Sequence, residues 1–164
     1  PDSSFTVPTR GGKIGQVLQA AKTDTFTTSA TSYTDVTGLS ISITPTATTS
    51  KIFVMISLNA NGQPAASSAA IRILRDSTPI AVGDSAGSRL QGTAEVLNES
   101  AYTTNAVVMN WMDEPATTSA VVYKIQGYCT YGTAQFHINR DSNDGDDAAR
   151  VRSVSTITVM EYLA

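Results

Sequence analysis

KIFVMISLN, residues 51–59, is apolar on both sides of an extended chain. Ile52, Val54, Ile56 and Leu58 fall on one side at the two-residue period of a strand, Phe53 and Met55 on the other. A strand of this kind has to be covered twice. One cover is the facing sheet of a sandwich; the second is a neighbouring subunit, which is the first pointer to an oligomer. Just upstream, TGLSISITP (37–45) sets Leu39, Ile41 and Ile43 against Ser40, Ser42 and Thr44, the alternation of a half-buried strand.

Other strands follow outward from this pair. GKIGQVLQAAKTDTF gives an apolar run from Lys13 that turns polar at Thr23, and AAIRILRD and TPIAVGD read as two short strands joined by DSTP. RLQGTAEVLN is weaker, with Gly92 marking a bulge. In TTNAVVMNWMDEP, Val107, Met109 and Trp111 share one face and Ala106, Val108, Asn110 and Met112 the other. AVVYKIQGYCT, TAQFHINR and VRSVSTITVMEYL complete the set, the Tyr131 and Gly132 pair reading as a tight hairpin turn. Eight to ten strands spaced by turn signals predict a sandwich or barrel. PTATTSKIFV from Pro45 and PATTSAVVY from Pro115 echo one another about half a chain apart, as the two Greek keys of a jelly roll would.

The 164 residues fit one domain, expected over 13–164, after an arm or linker over 1–12 (PDSSFTVPTRGG) that shows no hydrophobic period. Abundant Ser and Thr favour strands joined by polar turns over helices. A net charge of −3 with 15% charged residues supplies no basic stripe, so nucleic acid is not an expected partner. No apolar run approaches the ~18 residues of a membrane helix. The single cysteine, Cys129, is expected as a small packed residue.

An enzyme is not expected, and no cofactor is. His137 is the only histidine and shares the polar side of its strand with Gln135 and Asn139, away from Phe136 and Ile138. No GxSxG elbow surrounds a serine, and acidic pairs such as Glu95 with Glu99 or Asp113 with Glu114 define no site without a known separation. His137 is expected at the surface, solvated or hydrogen-bonded; a sharper alternative has three copies meeting on a trimer axis around a metal. NRDSNDGDDAARVRS (139–153) gathers Asp141, Asp144, Asp146 and Asp147. Read as a calcium loop from Asp141, the fifth place is Gly145, the sixth Asp146 and the twelfth Arg152, so the register fails by one residue and a cation replaces the anchoring carboxylate. The expected form is a mobile acidic turn neutralised by Arg140, Arg150 and Arg152, with Asp141, Asp144 and Asp146 the weaker metal candidates. Among the aromatics, Trp111 and Tyr123 are assigned to the core by strand period, while Tyr128 and Tyr131 beside a turn are the candidates for exposed contacts with sugar or protein.

KTDTFTTSATSYTDVTGLSISITP, SKIFV, INR with its acidic turn, and STITVME near the C-terminus together resemble a recurring module of tailed-bacteriophage structural proteins, over nearly the whole span from Lys13 to Ala164. The resemblance implies a jelly-roll-like antiparallel β-sandwich, assembled as a homotrimer on the virion surface among other virion proteins. It implies no catalytic residues. Two roles suit it: a tail-fibre head that binds a host surface glycan or protein, or a capsid decoration or head-fibre protein that attaches through the arm and stabilises the capsid.

Overall fold

The computed structural model describes residues 12–63, 68–97, 100–132 and 134–163, and the expected arm lies outside them except for Gly12. Among these described residues eleven strands form in the order β1 (Lys13–Lys22), β2 (Phe26–Thr28), β3 (Thr34–Ile43), β4 (Lys51–Gln63), β5 (Ser68–Arg75), β6 (Thr78–Ile80), β7 (Ala94–Leu97), β8 (Asn105–Asp113), β9 (Val121–Cys129), β10 (Gln135–Ile138) and β11 (Ser155–Leu163). All pairings are antiparallel.

Some of these strands are collinear halves of one. Along one edge of β4, β11 pairs with residues 51–57 and β10 with 60–63; β1 and β2 continue the same two tracks outward, and β8 takes the other edge. The first sheet is therefore β1/β2, β10/β11, β4, β8 from edge to edge. The second is β3, β9, β5 and then β6/β7, which share the far edge of β5. Counted as tracks, the chain visits the two sheets in the order first, second, first, second, second, first, second, first. With these neighbours, that is the double Greek key of a jelly roll. The two PTATTS-like turns fall at the β3 to β4 and β8 to β9 connections, and each carries the chain from one sheet to the other.

The core lies between the sheets. Ile52, Val54, Ile56 and Leu58 of β4 and Ile157 and Val159 of β11 face Ile71, Ile73, Tyr123 and Ile125 of the second sheet, all at 1% exposure or less. Leu39 and Ile43 are buried while Ser40, Ser42 and Thr44 are exposed, so the alternation of TGLSISITP is a true half-buried strand. Gly38, at φ +83°, sits within the register shift between Asp35 and Ser40 that returns Val36 to the inner face. Cys129 packs in the core with its Sγ donating to Thr28 O, and burial raises its thiol pKa above the ordinary value.

Several expectations are corrected. The Tyr131–Gly132 turn is no hairpin, because β9 and β10 belong to different sheets and the turn passes between them. RLQGTAEVLN yields only the short β7, and Gly92 lies ahead of it, where a Cβ would come within 3.1 Å of Ile71 O. Tyr123 is fully buried, but Trp111 is not core: it shares the inward side of β8 with Met109, yet β8 is an edge strand and 44% of the residue remains exposed.

Two buried polar bridges hold the architecture. Asp113 at the end of β8 accepts from Arg75 Nη1 at 2.9 and 3.1 Å and from the Tyr123 hydroxyl at 2.6 Å, tying the first sheet to the second. Asn139, at φ +62°, fills the break where β10 gives way to β11 and β1 to β2. Its Nδ2 donates to Lys22 O and Asp24 O at 2.7 and 2.9 Å, and its Oδ1 accepts from Ser155 Oγ at 2.6 Å.

Candidate functional site

The outward side of β10 is not in solvent. His137 points away from the core as its strand period requires, but it is 1% exposed, which corrects the expectation of a surface histidine available for contacts or for an axial metal. The reason is a roof of two loops. Ser142 N and Asn143 N both donate to Ala101 O, and Asn61, the cross-strand neighbour of His137, donates through Nδ2 to Ser100 O and Thr103 O. His137 Nδ1 is hydrogen-bonded to Thr27 Oγ1 at 2.9 Å, and Nε2 is buried with no hydrogen-bond partner among the described residues. Burial, with Arg140 nearby, lowers its pKa to about 4, against smaller opposing effects of Asp144 and Asp141.

This has a pH consequence. The unfolded chain takes up the histidine proton near 6.5 and the folded chain only near 4, so below 6.5 protonation favours the unfolded state. Stability is expected to fall by roughly 3 kcal/mol from pH 6.5 to 4, at ~1.4 kcal/mol per pKa unit. Glu161, where the Thr46 N–H and the Gln16 amide outweigh burial and hold the carboxyl at about 2, loses its contribution only below its ordinary 4.5. The window between 6.5 and 4.5 therefore reports mainly His137. Urea midpoints measured across it should fall with pH for the natural chain and stay flat for His137→Gln; a slope surviving that replacement would assign the titration elsewhere.

The acidic loop is an ion-pair network. Arg150 pairs with Asp141 at 3.0 Å and with Asp147 at 3.5 Å, Arg140 with Asp144 at 3.2 Å, and Arg152 with Asp144 as well. Asp141 is buried and also accepts from Asp144 N at 2.7 Å, while Arg150 lies over the Tyr102 ring at 4.4 Å and joins this loop to its neighbour. A cavity of about 220 Å³ remains among these side chains. Asp146 is exposed on its rim, and among the described residues no group of three or more His, Cys, Asp or Glu side chains is placed to hold a metal ion.

The outer face of the second sheet offers a different surface. Tyr128 is half-buried there, its ring centroid 5.3 Å from that of Tyr33, and the Arg72 guanidinium lies 3.8 Å over the Tyr33 ring. Tyr33 OH donates to Gln91 O at 2.6 Å, pinning the loop before β7. Asp35 accepts from Lys124 and Gln126, which keep its carboxyl below the usual range. Beneath that loop opens a cleft of about 360 Å³ bordered by Ala70, Arg89, Leu90, Thr93, Glu95 and Thr130, which neither Tyr33 nor Tyr128 lines. Tyr131, 62% exposed, lies on the inter-sheet turn and does not line the cleft. Sequence reasoning found Tyr128 but missed Tyr33, Arg72 and Glu95, which no local pattern joins to it.

The outer face of the first sheet carries an apolar row beside rows that mix apolar and polar side chains. Cross-strand register places Val17, Met160, Phe53 and Met112 in one row over four strands. The next two rows on this face contribute Met55 and then Val108, and Val17, Met55, Val108 and Met112 are between 39% and 64% exposed. KIFVMISLN is thus covered on one side by the core, and on the other Phe53 is half-buried and Met55 exposed among the described residues.

No family model matches this chain, and no curated protein matches it.

Proposed function

We propose that this chain is a non-enzymatic structural module of a tailed-bacteriophage virion, displayed at its surface as a homotrimer and binding a host surface receptor in the manner of a tail-fibre head. The phrase resemblance and the jelly-roll fold support this reading, and the observation that carries it is the apolar row Val17, Met160, Phe53 and Met112 with Met55 beside it. A contiguous apolar patch on an otherwise polar sandwich marks a surface meant to be covered. Methionine is a side chain that packs well against irregular partners, and three of the four, Met55, Met112 and Met160, lie on this face. Copies of the same chain are its occupants in this reading, since a closed symmetric assembly satisfies every apolar face alike.

The expected solution mass at micromolar concentration is three times the chain's 17.2 kDa by light scattering. Met55→Glu combined with Val108→Glu should leave the sandwich folded and reduce that mass to a single chain. A natural chain that is monomeric would overturn the assembly. Antibody labelling of intact particles tests the location: label at tail tips fits the proposal, whereas label over the capsid would favour decoration.

A further inference from the structure

We propose that residues 100–104 and 140–152 form an acid-released lid over the outer face of β10, which lifts as a unit while the sandwich beneath it stays folded. The imidazole of His137 is its latch. It belongs to the chain's only histidine, is 1% exposed, and lies between β2 and β4 with Asn61 as its cross-strand neighbour. Nδ1 is hydrogen-bonded to Thr27 Oγ1 at 2.9 Å. Protonation makes both ring nitrogens donors, and under the closed lid Nε2 has no hydrogen-bond partner among the described residues. The acidic loop faces the ring with Arg140, Asp141 and Asp144, and the two carboxylates are already engaged by Arg150, Arg140 and Arg152. β2 brings Thr27 and β4 Asn61, neither of them charged, and on the second loop Tyr102 is turned to Arg150. A charged ring is therefore poorly received while the lid is closed.

The lid is separable because it adds nothing to the core: no residue of 100–104 or 140–152 belongs to the apolar cluster between the sheets. What holds it is a short set of polar contacts. Ser142 N and Asn143 N donate to Ala101 O, Asn61 Nδ2 donates to Ser100 O and Thr103 O, and Arg150 pairs with Asp141 while lying over the Tyr102 ring. Ion pairs that reach water contribute little each, so lifting these loops costs less than parting the sheets. The longer loop is anchored at both ends, by the Asn139 side chain on Lys22 O and Asp24 O and by Ser155 Oγ on Asn139 Oδ1. With the lid raised the ring takes up a proton near its ordinary 6.5; beneath it, burial and Arg140 hold that back to about 4. Each pH unit lost between these values favours the raised lid about tenfold. Asp144, kept below its ordinary range by Arg152 and Arg140, stays ionised throughout, so its ion pairs do not release first. Raising the lid uncovers the outward side of β2 and β10, on the face that also carries the apolar row, and so changes what that face presents.

Amide hydrogen exchange on the full chain, at one fixed concentration, reads the lid directly and does not depend on the virion reading. The Ser142 and Asn143 amides, whose bonds close it, should be less protected than those of β4, β9 and β11. Their exchange should also be insensitive to dilute urea, because lifting the lid exposes little surface. After correction for the intrinsic pH dependence of exchange, their protection should fall about fiftyfold from pH 7 to pH 4.5. His137→Gln should abolish that fall. Arg150→Gln unties the lid from Asp141 and Tyr102 without touching the ring, so it should lower lid protection severalfold at every pH with the slope unchanged. That variant, with the natural chain, decides the matter if the histidine variant does not fold. Equal protection of lid and core amides would mean that only global unfolding uncovers the ring. Lid protection that is flat with pH, a slope that survives His137→Gln, or lid amides indifferent to Arg150→Gln would likewise overturn the inference.

Discussion

Asn139→Ala is expected to lower stability by about 4 kcal/mol, the largest effect of any single replacement considered for this fold. The side chain is fully buried and bonds two separate segments: the β1–β2 break through Lys22 O and Asp24 O, and β11 through Ser155 Oγ. Its own N–H donates to Asn59 O at 2.8 Å, and Ser155 Oγ accepts from Asn59 N at 3.0 Å, so β4 belongs to the same network. Alanine would strand the buried Lys22 carbonyl, the part-buried Asp24 carbonyl and the Ser155 hydroxyl, and would also occupy φ +62°, where Asn is tolerated and a residue with only a Cβ is strained by about 1 kcal/mol. Asn139→Gly separates the two costs. It relieves the backbone strain and leaves the lost hydrogen bonds, so it should recover only a minor part of the stability. Urea denaturation at one fixed chain concentration checks both variants, since assembly makes apparent stability depend on concentration. Full recovery by glycine would show that the backbone, and not the network, makes Asn139 indispensable.

Asn139 also marks the limit of what strand period could disclose. Period assigned it and His137 to the side of β10 away from the core, which is correct for His137, whereas Asn139 lies past the strand end at positive φ and fills the break between strands. Period carries no information about a loop lying over that side, and here residues 100–104 and 139–154 meet there through Ala101 O. The acidic turn was legible as a charge-balanced loop because Arg140, Arg150 and Arg152 lie within a few residues of the acids they pair with. TGLSISITP was legible because one face meets water and the other the core. KIFVMISLN disclosed that both faces are apolar, but not what covers the second, since strand period says nothing of what packs on an outer face. The cleft could not have been read at all. Its lining residues Ala70 and Glu95 come from two strands, and only the pairing of β5 with β7 in one sheet sets them opposite one another. Trp111 failed for a related reason: its period was inward, but its strand proved to be an edge.

The second large effect is expected at the bridge between the sheets. Asp113→Ala should cost about 3 kcal/mol, because the Tyr123 hydroxyl is left without an acceptor in the dry interior while Arg75 Nη1 loses the carboxylate it shares between both oxygens. The two losses differ in kind. The Arg75 side chain is 26% exposed and can turn its charge towards water, whereas Tyr123 is wholly buried and cannot. Most of the cost therefore belongs to the stranded hydroxyl, and removing it should return stability. Tyr123→Phe alone is expected to cost about 1 kcal/mol, and adding it to Asp113→Ala should raise stability above that of Asp113→Ala alone. A double-mutant cycle from urea midpoints reads this directly. Strict additivity would mean that Asp113 and Tyr123 act independently despite the 2.6 Å contact, and that the bridge holds the sheets through Arg75 alone. Coupling of the expected sign would identify the end of β8 as the point where the apolar-faced sheet is locked to the sheet that carries the cleft.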